Sequence, residues 1–312
     1  MLSIINIIRS TSMKKIRYIL ISALIVSTAI ISGCGGKSES KTEQSSYIPT
    51  PTDTTVKTTG EKVLINDSTL GEIWITELEG VAKNTLDKNG FSADADFKYY
   101  SENGKPASTE GVDVSDYNGA IDWKKVKDSG IDFAMIRIGG RGYGTEGTLY
   151  QDESAIKNIT EAKENGIKVG VYFFSQAINT DEAVEEANYV MEILGDIKLD
   201  YPVAYDWEII KDDDARTDNV SAYEATECAR AFCQTIEANG YTASIYSPSR
   251  ELYFKYDLSR LKDFDIWYCE YSDTPEFYYQ FSMWQYTMAG RVDGIDGEVD
   301  LNLCFTSIAD YA

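Results

Sequence analysis

From residue 111 onward the chain predicts an α/β fold, a parallel-rich barrel. Short apolar runs alternate with amphipathic helical stretches, and the runs continue after the helices stop near residue 261. A chain of 312 residues is long enough for one large domain with appendages.

The elements follow in order. Gly111-Val112-Asp113-Val114-Ser115 is a strand, followed by the amphipathic stretch Ile121 to Val126. Phe133 to Ile138 is the second strand, and the helix Asp152 to Asn165 behind it is closed by Gly166. Lys168 to Phe174 is the third strand, backed by helix Asp181 to Leu194. Tyr201 to Glu208 is the fourth, and its helix, Ala222 to Ala238, stops at Asn239-Gly240. Ala243 to Tyr246 is the fifth, with a short helical turn around Leu252 to Leu261. Three strands joined by loops complete the set: Ile266 to Tyr271, Phe281 to Thr287 and Val299 to Phe305. Eight strands with about five helices imply a barrel that loses its helical coat near the end, with functional groups at the C-terminal ends of its strands.

The segments before the barrel differ in kind. Lys14, Lys15 and Arg17 precede an apolar run from Ile19 to Ile31 that ends Ile31-Ser32-Gly33-Cys34. This run is short for a membrane span and reads as an export signal, with Met13 as an alternative start. The small-small-Cys ending resembles the lipobox of bacterial lipoproteins, which implies that residues 1–34 are a lipoprotein signal segment, cut before Cys34, and that this cysteine is lipidated. An uncleaved N-terminal anchor is the alternative, and either places the remainder outside the cytoplasm on the cell membrane. Residues 35–60 are polar, with Pro49 and Pro51, and read as a disordered tether. Residues 61–110 carry short strand patterns at Val63-Leu64-Ile65, Ile73-Trp74-Ile75 and Phe97 to Tyr100, a small β extension that leans on the barrel.

Composition narrows the chemistry. A net charge of −22 argues against nucleic acid. With no histidine anywhere, Ser-His-Asp triads, Cys-His pairs and His-ligated zinc are excluded. The four cysteines beyond Cys34 (Cys228, Cys233, Cys269 and Cys304) form no CxxC and read as buried thiols, so neither a metal nor another cofactor is expected. The glycine-rich run Gly139 to Gly144 follows a strand as a nucleotide loop would, but it lacks the GxGxxG register and a P-loop lysine, and reads as a flexible mouth loop.

What remains is carboxylate chemistry. Asp206 and Glu208 end an apolar strand and share one face, roughly 7 Å apart along the chain. Two carboxylates on one wall suit acid–base work on a glycosidic bond, because proximity and unequal burial separate their pKa values. An acidic pair facing water, or capping the next helix, is the plainer reading. By the same parity Asp113 faces inward on the first strand, and Asp300 shares a face with Asn302 on the eighth; closing the barrel makes Asp113 and Asp300 neighbours. Arg137, late in the second strand, is the expected buried cation among them. The twenty-two tyrosines and five tryptophans fit sugar stacking as well as core packing, with Tyr172, Tyr246, Tyr271 and Trp284 as stacking candidates.

Gly111 to Ser115, Val169 to Phe174, Pro202 to Glu208, and Trp284-Gln285-Tyr286 followed by Gly294 to Asn302 together resemble the glycoside hydrolase family 25 lysozymes over essentially all of 111–312. The resemblance implies a TIM-like barrel of five β/α units followed by three β-strands, and cleavage of the β-1,4 bond between N-acetylmuramic acid and N-acetylglucosamine in peptidoglycan. It also implies Glu208 as general acid and Asp206, Asp113 and Asp300 as supporting carboxylates, in a monomer acting on glycan strands by an inverting or a substrate-assisted route. A chitinase-like glycosidase and an inactive glycan-binding lipoprotein stand as alternatives.

Overall fold

The computed structural model describes residues 56–94, 97–211, 213–306 and 311; Cys34, the signal segment and nearly all of the tether lie outside them. Five strands precede the barrel: β1 (Thr58–Asp67), β2 (Gly71–Leu78), β3 (Phe91–Asp94), β4 (Phe97–Glu102) and β5 (Lys105–Pro106). Strand β1 begins inside the stretch expected to be tether. The barrel follows as β6 (Thr109–Val114), α1 (Trp123–Asp128), β7 (Phe133–Arg141), β8 (Leu149–Gln151), α2 (Ala155–Glu164), β9 (Lys168–Ser175), α3 (Thr180–Leu194), β10 (Val203–Trp207) and α4 (Ala222–Ala238). It ends with β11 (Ala243–Pro248), α5 (Ser249–Phe254), α6 (Leu258–Leu261), β12 (Asp265–Cys269), β13 (Met283–Gly290) and β14 (Val299–Cys304).

These elements make a mixed α/β fold around a closed barrel of eight strands, in the order β6-β7-β9-β10-β11-β12-β13-β14 with β14 returning to β6. Pairings from β6 through β13 are parallel, whereas β14 runs antiparallel to both its neighbours. Strand alternation divides the apolar residues into two cores. Val169, Val171 and Phe173 on β9, and Val203 and Tyr205 on β10, face the helices, while Phe133, Met135, Ala204, Tyr246 and Trp267 fill the lumen. The amphipathic helices are set by side-chain caps: Asn179 accepts from the Glu182 N–H at the start of α3, and Ser221 and Glu224 form a capping box at α4.

The two ends of the lumen are unlike. At the N-terminal end Phe133 and Tyr201 stack with centroids 4.5 Å apart. Gly111 is required beneath them, since a Cβ there would come within 2.2 Å of the Phe133 ring. This plug leaves the C-terminal end as the open mouth.

The first half of the glycine-rich run is strand, and only Gly142 to Gly144 are loop. Gly139, Gly140 and Arg141 continue β7 and pair antiparallel with β8. A Cβ on Gly139 would lie 2.4 Å from the Tyr150 carbonyl, and one on Gly140 would lie 2.5 Å from the Tyr150 hydroxyl, so close strand packing explains both glycines. Before the barrel, β1–β2 form a hairpin and β3–β4–β5 a separate small sheet. Both lean on the barrel's outer wall: the Leu78 N–H donates to the Tyr279 hydroxyl at 2.9 Å, and Phe91 meets Trp284 edge-on at 5.8 Å. Cys228, Cys233, Cys269 and Cys304 are free and buried.

Candidate active site

The mouth of the barrel gathers the four carboxylates. Strand β6 places Asp113 in register with Asp300 of β14, and the two side chains hydrogen-bond each other. Asp206 points inward from β10, while Glu208 lies one residue past the strand's end and is partly exposed. Beyond the strand's end, the Glu208 carboxyl comes within interaction range of that of Asp206. Gln176, following β9, donates to the Glu208 backbone carbonyl at 3.2 Å and accepts from the Thr217 hydroxyl at 2.8 Å.

Asp113 sits in an amide clamp. Asn302 and Gln285 donate to its Oδ2 at 2.8 and 2.9 Å. Each amide is itself oriented, because the Trp267 indole N–H donates to the Asn302 oxygen at 2.8 Å and the Tyr246 hydroxyl donates to the Gln285 oxygen at 2.9 Å. With the amide oxygens occupied, both NH2 groups are turned toward Asp113.

Burial dominates the electrostatics, and it raises all four groups. Asp113 rises only to about 6, because the two amide donors stabilise its charged form. Burial and the adjacent Asp113 push Asp300 to about 8. Glu208 is pushed to about 7 by burial and by the charge of Glu251, against the opposing pull of Lys211. Asp206 is driven well above the usual carboxylate range by burial and by Glu208, with Arg137 opposing; one of its oxygens, Oδ1, is buried with no hydrogen-bond partner. In the free site, therefore, the Asp206–Glu208 pair shares at least one proton at neutral pH.

Three sequence expectations need correcting. Arg137 does not bond to the four carboxylates: its Nε donates to Asp152 at 2.9 Å and its Nη2 to Asp116, so it acts on Asp206 only through space. Trp284 faces out of the barrel and is fully buried, donating to the Glu270 carbonyl at 2.8 Å beneath the N-terminal sheet. It has no surface for a sugar. Tyr246 is 8% exposed and packs against Trp267 at 4.6 Å, with Tyr172 on the same indole at 6.0 Å, so these two tyrosines form the floor of the site. Tyr271 alone of the stacking candidates has an open ring, at 53% exposure on the rim.

Sequence reasoning missed Gln285, Trp267 and Tyr117. Extending the inward/outward parity to β12 and β13 finds the first two. Tyr117, 88% exposed in the turn after β6, has no such signal.

A sequence model for glycosyl hydrolases family 25 matches residues 112–295. The autolytic lysozyme of Clostridium acetobutylicum is 27% identical over 195 residues, covering 62% of this chain and 55% of that protein. Lysozyme M1 of Streptomyces globisporus is 28% identical over 214 residues, covering 63% of this chain and 69% of that one. Among solved structures, the modular autolysin LytC from Streptococcus pneumoniae, in complex with a synthetic peptidoglycan ligand, superposes with a TM-score of 0.55 at 25% identity, covering 78% of this chain and 57% of that one. The chain thus spans little more than half the length of the Clostridium and Streptococcus proteins.

Proposed function

Since the chain belongs to glycosyl hydrolase family 25, we propose that it is a peptidoglycan hydrolase, a lysozyme cleaving the β-1,4 bond between N-acetylmuramic acid and N-acetylglucosamine. The observation that carries this reading is the Asp206–Glu208 pair, hydrogen-bonded, short of cations and sharing a proton at the open end of a plugged barrel. The lysozyme relatives and the peptidoglycan-bound autolysin support it.

In this mechanism Glu208, the partly exposed member, delivers the proton to the leaving glycosidic oxygen. Losing that proton leaves the pair with negative charge as positive charge develops at the anomeric carbon. A desolvated site makes that attraction strong. With Asp206 and Glu208 close together on one wall, the route we propose is attack by the substrate's own 2-acetamido oxygen, oriented by Asp206. Asp113 and Asp300 hold the charge balance and position the hydrolytic water. The barrel is taken as five β/α units followed by three strands, acting as a monomer. Digestion of purified peptidoglycan tests the reading: new N-acetylmuramic acid reducing ends detected by mass spectrometry support it, whereas N-acetylglucosamine ends or no release overturn it.

Cys34, after its basic and apolar leader, carries the proposed lipid anchor and places the enzyme on the outer face of the cell membrane. A tether of about 26 residues reaches roughly 25–30 Å as a coil, which confines the barrel to nearby glycan. On fractionation the wild type stays with the membrane and Cys34→Ala moves to the soluble fraction; equal membrane retention of both would identify an uncleaved anchor instead.

A further inference from the structure

We propose that Tyr117, backed by Arg137, is a sugar-stacking subsite on the rim, binding the flat face of a pyranose in the glycan chain at a position removed from the bond being cut. The inference deepens the peptidoglycan hydrolase reading and rests on it.

Tyr117 is 88% exposed, more than any other large hydrophobic residue among those described. Exposed aromatics are ordinarily loose, but this one is held from two sides. Its backbone lies in a turn, Asp116–Asn118, that Ser115 and Asn118 close reciprocally: the Tyr117 N–H donates to the Ser115 hydroxyl at 3.3 Å, and the Ser115 N–H donates to the Asn118 side chain at 2.9 Å. Gly119, at φ 69°, ends the turn in a backbone conformation costly for other residues. The Asp116 N–H is tied to Asp152 at 3.0 Å.

The ring is fixed as well. The Arg137 guanidinium lies 4.9 Å from the Tyr117 centroid, and its side chain is only 11% exposed. Its bond to the fully buried carboxylate of Asp152, and its pairing with Asp116, immobilise that cation. A guanidinium on one ring face is a favourable contact that leaves the opposite face to solvent. Tyr150, 37% exposed on β8, stands beside the pair, close enough for its hydroxyl to feel both Tyr117 and Arg137. Little conformational entropy is left to lose when a ligand stacks on such a ring.

The position suits a glycan. Ser115 is two residues beyond Asp113, just past the end of β6, and Arg137 is in register with Tyr172 of the lumen floor. The platform therefore stands on the β6–β7 side of the mouth that Asp206 and Glu208 enter from β10. A polysaccharide lying across the mouth meets both.

The test is the kinetics of Tyr117→Ala, Tyr117→Phe and Tyr117→Trp on polymeric peptidoglycan, with binding to insoluble peptidoglycan measured in the Glu208→Gln background. Tyr117→Ala is expected to raise KM about three- to tenfold, with the loss in KM rather than kcat. Affinity of the double variant should fall by the same factor, and Phe and Trp should restore both. An unchanged KM in Tyr117→Ala, a loss confined to kcat, or a Phe variant as poor as Ala overturns the subsite while leaving the hydrolase reading in place. If the wild type itself releases no reducing ends, the hydrolase reading falls, and the subsite falls with it.

Discussion

Two clusters of carboxylates stand near the mouth of this barrel, and only one is paired with cations. In the first, Arg141 donates to Glu186 at 2.7 Å and to Glu185 at 2.7 Å, while Arg216 grips Glu182 through two bonds of 2.7 and 2.8 Å. Ser175 completes Glu186 at 2.6 Å, and Gln176 links this network to the Glu208 backbone. In the second, Asp113, Asp206, Glu208 and Asp300 make no ion pair among the described residues, and their pKa values all rise. The arginines pin β7, α3 and the segment after β10 together; Arg216 holds Glu182 below its ordinary range, while burial lifts Glu186 to about 7 even beside Arg141. Unmatched charges retain protons. A general acid needs the second condition, and the first cluster keeps its backbone in place.

The sharpest way to break the comparison is to remove protons from the second cluster without changing its shape. Glu208→Gln keeps the volume and loses the acid, so turnover should fall by about 10³ or more while the melting temperature holds. Asp206→Asn should also lose at least about 10², because the pair then has one carboxylate to carry the charge left by proton transfer. Reducing-end assays together with circular dichroism melts check both. Near-normal turnover in Glu208→Gln would remove it from the mechanism.

The opposite substitution belongs to the first cluster. Arg141→Met leaves Glu186 buried beside its serine without a cation, and stability should drop by roughly 3–5 kcal/mol in chemical denaturation at pH 8. The drop should be smaller at pH 6. Burial already lifts Glu186 to about 7 with its arginine present, so without it the group can take a proton and lose its charge. A stability loss independent of pH would mean that Arg141 acts through packing alone.

The same contrast explains what was legible in the sequence. Asp113, Asp206, Asp300 and Asn302 could be placed in the lumen because strand parity is a local property, and each lies in a short run with clear ends. Glu208 was placed on the correct wall, but its meeting with Asp206 depends on where β10 stops. Trp284 was misplaced because its burial comes from Phe91 and the N-terminal sheet, far away in sequence. Arg137 was assigned to the four carboxylates for want of any local sign that Asp116 and Asp152 stand nearer. Gly139 and Gly140 look like a loop in isolation, and only the approach of Tyr150 shows why a strand needs them.

A milder perturbation sharpens the comparison through pH. Asp113, Glu208 and Asp300 have folded-state values near 6, 7 and 8, above those of an unfolded chain. A raised acid favours the fold while protonated in both states, and that contribution is lost as pH rises through the folded value. The unmatched cluster should therefore destabilise the protein on passing from pH 6 to pH 9, with a fall in melting temperature of about 10 °C. Asp300→Asn removes the most strongly raised of these three and relieves Asp113 of a like charge, so its melting curve should be flatter across the same range. Glu182 supplies an internal control: held low by Arg216, it is ionised throughout and contributes no slope there, whereas Glu186, at about 7, adds to the fall. A wild-type melting temperature that rose from pH 6 to pH 9 would contradict the reading that these carboxyls keep their protons in the folded state.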